Sequence, residues 1–165
     1  MILGLSISAF TTLHVILSLI GIATGFIVLF GMLGGRYLSG WNGLFLLTTI
    51  LTSATGFLFP GPSLDPARIV GIISLVALAI ALIALYGGHL TGLWRAIYVV
   101  TAVLALYLNT FVGVVQAFGK IDFLRQLAPT QTEPPFMIAQ GAVLLIFVVL
   151  GFLALRRFDP GPMAA

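Results

Sequence analysis

The first charged side chain in the sequence is Arg36, and the next is Asp65. No Asp, Glu, Lys or Arg separates Arg68 from Arg95, Arg95 from Lys120, or Glu133 from Arg156. Charge is confined to the breaks between long apolar runs, and that leaves few folds open. A helix crosses the bilayer core with about 20 mostly apolar residues, and a backbone in lipid must satisfy its own polar groups. Charged residues make up 7% of the chain, against about 25% in soluble domains. So few polar groups cannot cover a soluble fold of this size, so lipid must be the solvent for much of the surface.

These runs predict an all-α polytopic transmembrane bundle of five spans in one domain, 1–165. The spans are expected at about 8–34, 41–59, 66–86, 91–118 and 135–157. Gly34-Gly35-Arg36 releases the first helix and Pro60-Gly61-Pro62 stops the second. Asp65 caps the third, with Pro66 at its first position. Gly87-Gly88-His89 divides a block too long for one span into two antiparallel helices, and Pro134-Pro135 opens the fifth. The alternative is four spans with the short second segment re-entrant. The N-terminal run has no basic segment before it and outlasts a signal-peptide core, so it is read as a span.

Five spans put Arg68, Lys120 and Arg125 on the N-terminal side, offset by Asp65, Asp122 and Glu133. Arg36, Arg95, Arg156 and Arg157 lie on the other side with Asp159, beside Tyr37, Trp41, Tyr86 and Trp94. The basic excess favours a cell (inner) membrane protein with its N-terminus outside and its C-terminus cytoplasmic. The formal charge of +3 comes from residues near helix ends, and no basic cluster offers a nucleic-acid footprint. The chain has no cysteine, which removes disulfides, thiolate catalysis and cysteine-held metals.

The remaining information lies in the uncharged polar residues. His14 sits two turns into the first span, with Thr11, Ser18, Gly21 and Gly25 on the same face. Gly21-x-x-x-Gly25 is a close-packing pattern for membrane helices. The fourth span carries a matching stripe of Tyr98, Ala102, Ala105, Asn109, Gly113 and Gln116, and the second carries Thr48, Thr52 and Thr55. Alternating direction places His14, Thr52, Thr55, Gln116 and Gln140 in the half of the bundle nearer the N-terminal side, with Asn109 nearer the midplane. The candidate ligand-binding set is therefore His14, Ser18, Asn109, Gln116 and Gln140, with Gly21, Gly25 and Gly113 as packing glycines. The plainer reading is that the amides bridge helices and the threonines bond their own backbones. His89 is expected in a solvated turn. The loop after the fourth span, about 119–135, is expected at the interface or as a lid over the His14 cluster.

No catalytic set emerges. The spans hold no carboxylate, which argues against proton- or ion-coupled transport, and a single buried histidine cannot build a zinc site. No cofactor is required. The expected role is an accessory or structural subunit of a larger membrane complex, partnered by lipids and by other subunits or self-association. The alternative is a binding module for a quinone, lipid or pigment near His14. A haem held by His14, alone or with Met137, is a further alternative.

Overall fold

The computed structural model describes residues 1–62 and 65–161. It is helical, and there is no strand among the described residues. The helices are α1 (Ile7–Leu33), α2 (Ser39–Gly56), α3 (Pro66–Leu82), α4 (Leu93–Lys120), a short α5 (Asp122–Leu127) and α6 (Pro134–Arg157). A wider π turn, Ile83–Gly87, continues α3 to its end.

The ends follow local chemistry. Ser6 caps α1 by accepting from the Ala9 N–H, and Asp65 caps α3 by accepting from Arg68 N–H, with Pro66 at the first position. Between α3 and α4, His89, Leu90 and Gly92 all take left-handed backbone angles. His89 is exposed in this turn. The second helix ends at Gly56, three residues before the expected boundary, because residues 57–59 form turn and bend instead. The Phe59 carbonyl there accepts from the Arg68 guanidinium.

Four segments are long and apolar enough to cross a membrane: Ile7–Leu33, Pro66–Gly87, Leu93–Lys120 and Pro134–Arg157. The chain thus has the make-up of a multi-pass membrane protein. The α2 helix falls short of the expected fifth span. It has 18 residues, and Asn42, Thr48, Thr49, Thr52, Ser53 and Thr55 dilute its apolar character.

The register of facing residues gives the topology. Along α1 and α2, His14 meets Gly56, Gly21 meets Thr49, Gly25 meets Phe45 and Gly31 meets Leu38, so α2 runs antiparallel beside α1 for its whole length. Ser18 meets Asn109 and Gly25 meets Leu106, so α4 is also antiparallel to α1. The α6 helix is antiparallel to α4 through Phe111–Gln140, Tyr107–Phe147 and Arg95–Phe158. The first four long helices close a ring in which each packs on the next and α4 returns to α1. The α6 helix lies outside it against α4 and α1. Of its 24 residues only Gln140, Phe147 and Ala154 are buried.

The two ends of this ring are filled differently. Toward the Arg36–Arg95–Arg157 end, Leu29, Phe45, Leu78, Leu85, Tyr98 and Leu106 pack to near-complete burial. Gly25 makes this contact: a Cβ there would collide with the Leu106 side chain and lie 2.9 Å from the Phe45 ring. Trp41, Tyr86 and Trp94 remain exposed around this end, where amphipathic rings suit a membrane interface. Toward the other end the ring-facing positions are small, including Ser18, Ser53, Gly56, Gly71, Ser74 and Gly113, and the interior stays open.

Candidate functional site

That open interior is a cavity of about 360 Å³ between α1, α2, α3 and α4. Ligand sites commonly measure about 300–1,000 Å³. Its walls are largely apolar, formed by Val15, Leu19, Ile22, Phe57, Val70, Leu108 and Val112. Polar groups enter at three levels.

At the deep end, near the bundle middle, Ser18 and Asn109 lock α1 to α4. Ser18 Oγ donates to Asn109 Oδ1 at 2.8 Å, and Asn109 Nδ2 donates back to the Ser18 carbonyl at 3.3 Å. Ser74 adds a buried hydroxyl from α3. At the middle level stands His14. Its Nδ1 lies 2.8 Å from Thr55 Oγ1, and Phe59 meets the imidazole edge-on with centroids 5.2 Å apart. Phe10 packs on the far side of Phe59. At the mouth are Lys120, Arg68 and Asp65, two cations against one carboxylate. Asp65 Oδ1 accepts from the Arg68 N–H, and the Arg68 guanidinium holds Phe59 O at 2.8 Å. The positive mouth lies at a helix-end level where long basic side chains reach the interface.

Four of the five expected ligand residues therefore line one cavity: His14, Ser18, Asn109 and Gln116. Gln116 is exposed at its edge. Gln140 is elsewhere, between α6 and α4, with Nε2 on the Phe111 carbonyl at 3.1 Å. Its Oε1 is buried without a partner among the described residues. The reason is topological: α6 packs outside the ring, so depth in the membrane does not bring its side chains into the ring interior. For the same reason Met137 does not line the cavity with His14; it is 63% exposed on α6. The packing glycines divide as well. Gly21 and Gly25 admit α2 and α4 closely, whereas a Cβ at Gly113 would meet only Ile22 at an ordinary 3.4 Å, and Gly113 lines the cavity.

The threonines of α2 bond their own helix: Thr48 to Leu44 O, Thr52 to Thr48 O and Thr55 to Leu51 O, all at 2.7–2.8 Å. Of the 119–135 segment only Lys120, the last residue of α4, lines the cavity; the residues after it do not. The segment after Lys120 folds back on α4, with Gln131 Nε2 on Val115 O, and Phe136 at the start of α6 meets Phe118 edge-on.

Sequence reasoning missed Ser53, Ser74 and Arg68 as cavity residues. Ser74 is the one hydroxyl inside α3, a usable signal. The opposite half of the bundle also holds buried polar groups. There Asn42 is buried and joins Tyr98 O–H, which donates to its Oδ1, to Tyr37, whose hydroxyl accepts from Nδ2 at 3.3 Å. Tyr37 lies in the α1–α2 connection, and its phenol is held above its ordinary pKa chiefly by burial.

The chain matches no protein-family model, no curated protein and no solved structure. The chemistry of the cavity is therefore read from its own walls.

Proposed function

We propose that this chain is a membrane-embedded binding module for a hydrophobic molecule with a small polar head, held between α1, α2, α3 and α4. The observation that carries this is a mostly apolar cavity whose few polar groups converge from four helices. A binding site needs apolar walls for affinity and a small number of placed polar groups for orientation. His14 and Ser18 from α1, Ser53 from α2, Ser74 from α3 and Asn109 from α4 are those groups, Gln116 flanks the entrance, and the tail of the guest lies along Leu19, Ile22 and Val112. The module acts by holding and positioning this molecule, without covalent chemistry of its own. Its host is a cell (inner) membrane, crossed five times with the N-terminus outside. The register of α2 along α1, from Gly31 back to His14, supports that fifth crossing.

Gentle solubilisation followed by mass spectrometry of extracted small molecules tests the proposal. The wild-type chain is expected to carry an apolar molecule, and a cavity-filling Ser74→Phe variant that keeps its unfolding midpoint is expected to lose it. A wild-type protein without any guest, indistinguishable from Ser74→Phe, would remove the basis of the proposal.

The outer face of α6 favours a second role, as an accessory subunit that packs on a membrane partner. Leu144, Leu145, Val148, Val149 and Phe152 expose an apolar surface there. Stoichiometric co-purification with another membrane protein, reduced by Val148→Trp, is the outcome expected of that role.

A further inference from the structure

We infer that the group recognised in the cavity is a hydroxyl, donated to Nε2 of His14 by an uncharged amphiphile such as a long-chain or isoprenoid alcohol; the inference rests on the binding role proposed above. It comes from counting protons on the α1–α2 wall. Thr55 Oγ1 lies 2.7 Å from the Leu51 carbonyl, so its one proton is directed there. Its oxygen is then an acceptor, and its other neighbour at 2.8 Å, His14 Nδ1, must carry the shared proton. A neutral imidazole protonated on Nδ1 presents a lone pair on Nε2. No donor from the described residues meets that nitrogen. The edge-on Phe59 ring fixes the imidazole plane, so Nε2 keeps one direction.

The neighbouring hydroxyls behave alike. Thr11 directs its proton to Ile7 O, Thr52 to Thr48 O, and Ser18 to Asn109 Oδ1. These groups offer oxygen lone pairs and have no proton to give. A ligand carbonyl, as in an oxidised quinone, would meet acceptors along this wall. A ligand O–H meets partners, and its own oxygen can accept in turn from the hydroxyl of Ser74 on α3, across the cavity.

Two probes with the same apolar body separate these cases: farnesol and its methyl ether, which lacks only the donatable proton. Their affinities for the purified full chain in detergent are measured by titration calorimetry, with His14→Asn as the variant. Asparagine keeps a donor toward Thr55 but is too short to reach a guest. Farnesol is expected to bind the wild type about tenfold more tightly than the ether, a difference of about 1.4 kcal/mol, and His14→Asn is expected to erase that preference. Equal binding of the two probes by the wild type would overturn the hydroxyl assignment and leave the binding role standing. Binding of neither would overturn both. A preference that survives in His14→Asn would place the recognition on another group and overturn the role of His14. If His14→Asn does not fold, the alcohol–ether comparison on the wild type still decides the hydroxyl assignment.

Discussion

Asn109 and Asn42 are both buried amides in the bundle, yet their surroundings give them different weights. Asn109 exchanges two hydrogen bonds with Ser18 beside an open cavity. Replaced by leucine of similar volume, it leaves Ser18 free to turn back on its own helix, as Thr11 and Thr12 do. Interhelical hydrogen bonds in membranes average about 0.6 kcal/mol. Asn109→Leu is therefore expected to lower stability by about 1 kcal/mol in denaturant unfolding of the micelle-bound protein. Asn42→Leu is expected to cost more, about 2 kcal/mol, because it strands the Tyr98 hydroxyl in a fully packed region. The reverse ranking would show that the cavity-side pair, not the Asn42 cluster, ties the helices together.

Single helices differ in how tightly their neighbours approach, and glycine marks the difference. Gly25 faces Leu106 and Phe45 with no room for a methyl group, while nothing lies near a Cβ at Gly141 on the outward side of α6. Overpacking a well-filled interior costs about 1–3 kcal/mol. Gly25→Ala should destabilise by about that amount, and Gly141→Ala should be neutral or slightly stabilising, because alanine suits a helix better. Ahead of α6, Glu133 ties the 130–133 turn: its carboxylate accepts from Thr130 N–H and O–H and from Thr132 N–H. The Thr130 bond chiefly holds its pKa below the ordinary value, against an opposing desolvation. A lowered folded pKa means that the contribution is present above the ordinary carboxylate pKa and is lost as pH falls through the lowered value. Amide exchange at Thr130 and Thr132 should thus stay protected at neutral pH and loosen only in acid. In Glu133→Gln the protection should be weaker and should no longer change across that acid range; an unchanged acid profile would contradict the assignment.

For the molecule as a whole, the number of crossings turns on α2. Its 18 residues rise about 27 Å at 1.5 Å each, slightly less than a bilayer core of about 30 Å. Its polar face is turned inward: Asn42, Thr48, Thr49 and Thr52 are buried, and Leu44, Leu47 and Leu51 point out. A helix that hides its polar side against α1 can tolerate lipid on the other. The absence of cysteine makes labelling straightforward. Single cysteines at Gly35 and Gly61, probed with a membrane-impermeant maleimide in sealed vesicles, should label from opposite faces. Labelling from the same face would mean a re-entrant α2 and four crossings. An added cysteine at Asp159 should label with Gly35, from the inner face.

Apolar run length and the confinement of charge to the breaks determined, without any coordinates, that the chain is a bundle of membrane-type helices. The turns were equally local: Asp65-Pro66 starts α3 by capping, and the Gly87-Gly88 region reverses the chain. The face carrying His14, Ser18, Gly21 and Gly25 was legible too, since a helical period is fixed by backbone geometry. Which helices share an interior was not. Periodicity assigns a residue to a face of its own helix and alternation assigns its depth, but neither says which neighbour lies opposite. Tertiary packing decided that α1 to α4 close a ring and that α6 stays outside it, which joins Asn109 to Ser18 and sends Gln140 elsewhere. It also decided where the ring stays empty. The Arg-rich end is filled by Phe45, Leu78, Leu106 and Tyr98, while serines and glycines from four separate helices meet at the other end and leave the cavity around His14. No single segment announces that void, because it depends on the volumes of residues far apart in the chain.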